Sequence, residues 1–195
     1  MKIALFGGSF NPIHNGHLQI ANELADRKVA DEVWFIPCGN HAFGKGLAKG
    51  KDRARMINLT IGENSKLKLI NVELKSRKKS FTSETIKYLK GKFSKNEFYF
   101  IIGADNLEDL KKWHDFEYLK KEVLFILINR SKFGRENNLG IKIYYFLNLQ
   151  NNDSSTKIRE NVKQGFSIAD LVPKKVYYYI NERRLYKWNN DENTT

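Results

Sequence analysis

Two periods alternate along this chain of 195 residues. Short apolar runs bounded by glycine, proline or polar residues predict buried strands. They are Lys2–Phe6 (KIALF, ending at Gly7-Gly8), Asp31–Pro37 (DEVWFIP), Leu67–Leu74, Phe98–Ile102 (FYFII, ending at Gly103), Val123–Ile128 and Ile141–Leu147 (IKIYYFL). Between them apolar residues recur at helical spacing. Leu18, Ala21, Leu24 and Ala25 predict a helix from Asn15 onward. Further helices are predicted over Lys51–Glu63, Thr82–Lys92, Ser155–Gln164 and Pro173–Arg183, with two short ones at Leu107–Lys112 and Phe116–Lys121. Thr82 or Ser83 suits an N-cap, and Pro173 suits a first helical turn.

Strand, helix and strand within the first 37 residues form a βαβ unit, which requires a parallel pair. The repeated alternation predicts an α/β fold: a Rossmann-like open parallel sheet with helices on both faces and a C-terminal helical segment. Residues 1–188 are expected to form one domain, and 189–195 a polar tail. No apolar run approaches the roughly 20 residues of a membrane span. Four apolar residues before Gly7 are too few for a signal peptide, and the single cysteine, Cys38, excludes an internal disulfide framework. The expected compartment is the cytoplasm, with no membrane partner.

Charge sharpens the picture through its placement. Of the net +12, nearly all lies in residues 45–95, which carry 15 basic and 4 acidic side chains. Such a block attracts polyphosphates or nucleic acid, or is a solvated lysine face. Few aromatic residues interleave with the lysines (Phe81, Tyr88 and Phe93, all in the last third of the block), fewer than a stacking platform requires, which disfavours nucleic acid.

Ligands of open α/β sheets bind beyond the carboxyl ends of the strands, so the candidate chemistry is sought there. The first strand ends in FGGSFNPIHNGH, Phe6 to His17. Gly7 and Gly8 let a ligand approach the backbone and permit positive φ, followed by Ser9 and Phe10. The helix beginning near Asn15 offers N–H groups to an anion, and Gly16 keeps the space above its first turn open. His14 and His17 then direct imidazole N–H groups at the same anion. Zinc ligation, which needs further ligands, and plain capping compete with the phosphate reading. The loop is neither a P-loop nor GxGxxG, which argues against a kinase and a dehydrogenase. The fourth strand ends in Gly103-Ala104-Asp105, where a carboxylate can hold a ribose hydroxyl or cap the next helix. Trp113 beside His114 can stack on a heteroaromatic ring. In Asp153–Arg159 (DSSTKIR), Ser155, Thr156 and Arg159 share one side of a helix start and form a second anion site.

Taken together these stretches resemble a known family. GGSFNPIHNGH, with its HxGH core, and SSTKIR, an SSTxxR element, resemble adenylyltransferases of the nucleotidyltransferase superfamily. FIIGADNLEDLKKWHDFEYL is similar to the substrate segment of nicotinate (or nicotinamide) mononucleotide adenylyltransferases. SFTSETIKYLK resembles that family's SYTxxTL element, with Phe81 for tyrosine, and LVPKKVYYYINERRLY resembles its C-terminal ending. The resemblance implies strand order 3-2-1-4-5 and transfer of an adenylyl group from ATP to nicotinate mononucleotide, releasing pyrophosphate in NAD biosynthesis. Alternatives are nicotinamide mononucleotide as preferred or equal substrate, or another small-molecule transfer such as that to pantetheine phosphate. It implies His14, His17 and Arg159 as catalytic residues. Gly7, Gly8, Ser9, Phe10, Gly16, Gly103, Asp105, Ser155 and Thr156 are implied at ATP. His41, Lys45, Thr82, Ser83, Trp113 and His114 are implied at the mononucleotide. Mg²⁺ is implied as a bridge between ATP phosphates, with no metal site of the protein's own. One departure stands out: the family's PPHK-like stretch is replaced by Pro37–Lys45, PCGNHAFGK, which changes the spacing of His41 and Lys45.

Overall fold

A computed structural model describes residues 1–39, 47–76, 79–129, 138–149, 151 and 153–187. His41 and Lys45 lie outside the described residues. The elements in chain order are β1 (Lys2–Gly8), α1 (Asn15–Asp26), β2 (Glu32–Pro37), α2 (Gly50–Ile61), β3 (Leu67–Leu69), α3 (Thr82–Lys92) and β4 (Glu97–Gly103). Two 3₁₀ turns follow (Ala104–Asn106 and Glu108–Lys112), then α4 (Phe116–Glu122), β5 (Leu124–Asn129), β6 (Lys142–Asn148), α5 (Ser155–Gln164) and α6 (Lys174–Glu182).

All six strands form one parallel sheet in the order β3-β2-β1-β4-β5-β6. The expected order of five therefore holds, and β6 extends it beyond β5. Alternation along the strands feeds two cores. Ala4, Phe6, Val33, Phe35, Tyr99 and Ile101 face α1, α2, α5 and α6 through Ile20, Leu24, Met56, Ile57, Ile158, Val176 and Ile180. Ile3, Leu5, Trp34, Ile36, Phe98 and Phe100 face α3 and α4 through Ile86, Leu89 and Leu119. Strands buried on both faces explain why the apolar runs are nearly continuous. Each fully buried Leu, Ile or Phe contributes about 1.5–3 kcal/mol of hydrophobic stabilisation. Edge strand β6 alternates exposed and half-buried residues instead.

Three local expectations differ. β3 is three residues long, because Lys75 N–H and Ser76 N–H bond back to the Asn71 and Glu73 carbonyls and turn the chain away. The helix predicted over Leu107–Lys112 is a 3₁₀ helix, Glu108–Lys112, and a further 3₁₀ turn, Ala104–Asn106, precedes it. Neither Thr82 nor Ser83 caps α3: Phe81 is the N-cap residue, without a side-chain bond. Among the described residues no helix is long and apolar enough to cross a membrane.

Candidate functional site

The chain passes from β1 to β2 on one side and returns through β4 on the other, so the switch point lies between the carboxyl ends of β1 and β4. Gly7 is the penultimate residue of β1 there, and a Cβ on it would meet the Phe100 ring at 3.2 Å. Phe100 in turn stands edge-on to Trp113, with ring centroids 6.0 Å apart. Two of the sequence-predicted strand ends thus share one aromatic wall. Neither Gly7 nor Gly8 has positive φ; the residue of that loop that does is Phe10, at φ 45°. The Phe10 ring is 1% exposed, packed edge-on against Phe6, Phe35 and His17, so it supports the loop from beneath instead of lining its surface.

His14 is the N-cap residue of α1 and is buried, and His17 is half-buried. Their rings lie 3.7 Å apart, centroid to centroid. His17 Nδ1 accepts the His14 backbone N–H at 3.3 Å. In neutral His17 that bond leaves the ring proton on Nε2, as a donor pointing away from the cap. Two of the first-turn amides are already satisfied: Asn15 N–H donates to the Leu171 carbonyl and His17 N–H to that of His14, each at 3.0 Å. Anion attraction at this end therefore rests on the helix dipole and the imidazoles more than on free N–H groups. The space above Gly16 is also occupied, since a Cβ there would stand 2.7 Å from Asn151 Oδ1. Gly16 is small so that the segment before α5 can close on α1. Asn151 Nδ2 donates to Gln19 Oε1 at 3.1 Å beside it.

The third strand end is tied to the first by hydrogen bonds. Ser154 caps α5 by accepting Lys157 N–H at 3.2 Å. Ser155 Oγ donates to the Pro12 carbonyl at 2.8 Å. Arg159 Nη1 donates to the Asn11 carbonyl at 2.8 Å and Nη2 to Thr156 Oγ1 at 3.2 Å. The two stretches expected to meet an anion, remote in sequence, thus form one wall.

At β4, Asp105 is exposed and its carboxylate folds back over Gly103, where any side chain would collide with Oδ1. It lies inside the 3₁₀ turn Ala104–Asn106, whose N-cap residue is Gly103, so Asp105 is not the cap of that turn. Ser83 is fully buried, with Oγ 3.2 Å from His114 Nδ1. The exposed His114 ring stacks on Phe81 at 4.3 Å. Thr82 is half-buried in the first turn of α3. Trp113, His114, Phe81 and Ser83 therefore form a second, aromatic lobe beside the phosphate-like one.

Four residues of this region carry roles the sequence reading passed over. Arg53 is 2% exposed. Its guanidinium donates to the carbonyls of Ser9 (2.7 Å), Cys38 (2.8 Å) and Ala48 (3.0 Å), and reaches the Cys38 thiol. It pins the ends of β1 and β2 together. It stands in one buried stripe of α2 with Met56 and Ile57, a periodic signal that was available in the sequence. Burial pushes the Cys38 thiol up despite the neighbouring guanidinium. Burial also raises the Glu73 carboxyl, against the opposing hydrogen bonds from Thr85 Oγ1 (2.9 Å) and the Gly39 N–H. Asn11 Oδ1 accepts from Ala48 N–H at 3.0 Å and from the Tyr186 hydroxyl at 2.9 Å. Nothing in the local patterns around Glu73, Asn11 or Tyr186 announced these contacts. Among the described residues, no group of three or more His, Cys, Asp or Glu is arranged to hold a metal ion.

A parallel sheet with glycines, two imidazoles and a guanidinium gathered at its switch point defines a nucleotide-handling α/β protein. Comparison with known proteins narrows the class. Residues 5–161 match the Cytidylyltransferase-like family. A Clostridium acetobutylicum protein described as "Probable nicotinate-nucleotide adenylyltransferase" is 36% identical over 95% of this chain and 98% of its own length. A Geobacillus kaustophilus protein of the same description is 37% identical over 95% of this chain and 86% of its own. The solved nicotinic acid mononucleotide adenylyltransferase of Plasmodium falciparum, complexed with NaAD, superposes with a TM-score of 0.81 at 26% identity, over 95% of this chain and 97% of that one. The chain belongs to the Cytidylyltransferase-like family and, within it, to the nicotinate-nucleotide adenylyltransferases.

Proposed function

We propose that this protein transfers the adenylyl group of Mg²⁺-bound ATP to nicotinate mononucleotide, giving deaminated NAD and pyrophosphate in NAD biosynthesis. The observation that carries the reading is the convergence of HxGH and SSTxxR on one wall, through the Arg159–Asn11 and Ser155–Pro12 bonds. A phosphate oxygen of the mononucleotide attacks the α-phosphorus of ATP. The bond from that phosphorus to the β-bridging oxygen breaks, and pyrophosphate leaves with the electron pair. The attacking phosphate, with a second pKa of about 6, is already ionised at neutral pH, so no general base is needed. Catalysis is then alignment plus stabilisation of negative charge.

In this reading His17 donates from Nε2 to a phosphoryl oxygen, and His14 holds the His17 ring while lending its own imidazole to the phosphate chain. Arg159, with Ser155 and Thr156, holds the β- and γ-phosphates. Gly7, Gly8 and Ser9 let the nucleotide lie against the end of β1. Gly103 and Asp105 serve the ribose. Trp113, His114, Thr82 and Ser83 take the pyridine ring and its carboxylate, and His41 and Lys45 the mononucleotide phosphate. Mg²⁺ would come as part of the ATP substrate and would supply neutralisation of phosphate charge.

The test is pyrophosphate release with ATP and Mg²⁺, run side by side with nicotinate and nicotinamide mononucleotide. Release with nicotinate mononucleotide, and much less with the amide, is the expected result. Equal release with both overturns the substrate, and no release with either overturns the reaction.

A further inference from the structure

The C-terminal segment reaches the wall formed by Asn11 and Arg159 through the Tyr186 hydroxyl, and its backbone is bent to do so. Helix α6 ends in a Schellman arrangement. Leu185 N–H bonds to the Ile180 carbonyl at 3.0 Å and Arg184 N–H to that of Asn181 at 3.2 Å. Arg184 takes the left-handed position, φ 49°, that glycine usually fills in this motif. Leu185 then packs on the core, and Tyr186 itself sits at φ 63°. Two left-handed non-glycine residues within three positions are strained, and such conformations persist where the surrounding structure holds them. Here they bring the Tyr186 hydroxyl to Asn11 Oδ1, 175 residues away in sequence. Burial raises the phenol, against the Arg159 and Arg53 guanidiniums nearby, so Tyr186 stays protonated and a donor throughout the physiological range.

Asn11 is where this contact gains a consequence. Its side-chain oxygen takes the Tyr186 hydroxyl and the Ala48 N–H, while its carbonyl takes Arg159 Nη1. The orientation of Asn11 therefore sets where the Arg159 guanidinium is anchored. We propose that Tyr186 is a positioning residue for ATP binding: its hydroxyl fixes Asn11, and Asn11 fixes Arg159 against the triphosphate. The inference rests on the reading of Arg159 as a β,γ-phosphate ligand. It adds that the C-terminal turn after α6 is part of the nucleotide site.

The experiment is a double-mutant cycle on Tyr186→Phe and Arg159→Lys, read as Mg²⁺·ATP affinity by calorimetry and as both Michaelis constants. Tyr186→Phe removes one oxygen and keeps the ring, and a thermal melt confirms folding. Losing one hydrogen bond predicts ATP binding weakened by about five- to tenfold. The mononucleotide KM is expected to stay within about twofold, because in this reading Tyr186 acts through Arg159, a ligand of the triphosphate. In the Arg159→Lys background the same change should add little, since coupled residues are non-additive. Tyr178→Phe, on an exposed position of α6, serves as the unchanged control. Unaltered ATP affinity in Tyr186→Phe, additive effects in the cycle, or equal rises in both Michaelis constants would overturn the proposal. Calorimetry with ATP alone reports on Tyr186 even if the wild type makes no dinucleotide, so failure of the proposed reaction would be seen separately.

Discussion

At the scale of single residues, His17 joins architecture to chemistry. Its Nδ1 closes the start of α1 on the His14 amide, and in the neutral ring that bond leaves the proton on Nε2. His17→Ala is expected to lower kcat by about 10²–10³, the usual effect of removing one donor to a developing charge. Mononucleotide binding should change far less, and a kcat-against-KM comparison checks the split. Trp113→Ala removes the half-buried indole of the aromatic wall and should raise chiefly the mononucleotide KM; a rise in the ATP KM alone would contradict its placement. Such residues were legible because they sit in short motifs at strand ends. Arg53, Glu73, Asn11 and Tyr186 were not, since most of their partners lie 12 to 175 residues away. Among these Arg53 alone left a periodic trace, hidden by the surplus of lysines around it.

At the scale of elements, the strand and helix pattern read directly from the sequence, while the joints between elements did not. The two-sided burial of the sheet writes itself as continuous apolar runs, and the helical stripes match the two cores. Turn geometry depends on partners elsewhere. The expected strand over Leu67–Leu74 stops at Leu69, and the turn beyond it carries Glu73 to Thr85 of α3 and to Gly39 beyond β2. That acid has a pH signature. Its folded-state pKa is raised above the ordinary value of 4.5 by burial. The folded state therefore binds the proton more tightly, and stability falls as pH rises from that value through the raised one. Glu73→Gln removes this slope. Urea unfolding at pH 4 and pH 7 should show the variant gaining relative to wild type at the higher pH, and a constant difference would count against the assignment.

At the scale of the whole molecule, α5 and α6 do more than cover one face of the sheet. Ile158, fully buried within α5, locks the helix that presents Thr156 and Arg159 into the same core as α1 and α6. Ile158→Ala should cost about 2–4 kcal/mol in chemical denaturation, the range for emptying a buried aliphatic site. ATP should recover part of that loss by mass action if the site survives. The parallel order through five strands followed from the resemblance, and the sixth strand, present in the pattern, extends the sheet beyond β5. Asn151 packing on Gly16 shows what pattern reading cannot supply: which glycine faces a ligand and which faces the protein's own chain.

The most direct measurement is the fate of ATP labelled at the α-phosphorus, incubated with Mg²⁺, nicotinate mononucleotide and the wild-type protein. Attack at that phosphorus predicts label in the dinucleotide and unlabelled pyrophosphate, with the His17→Ala protein forming the same product far more slowly. Label recovered as AMP or ADP, with no dinucleotide, would contradict the account.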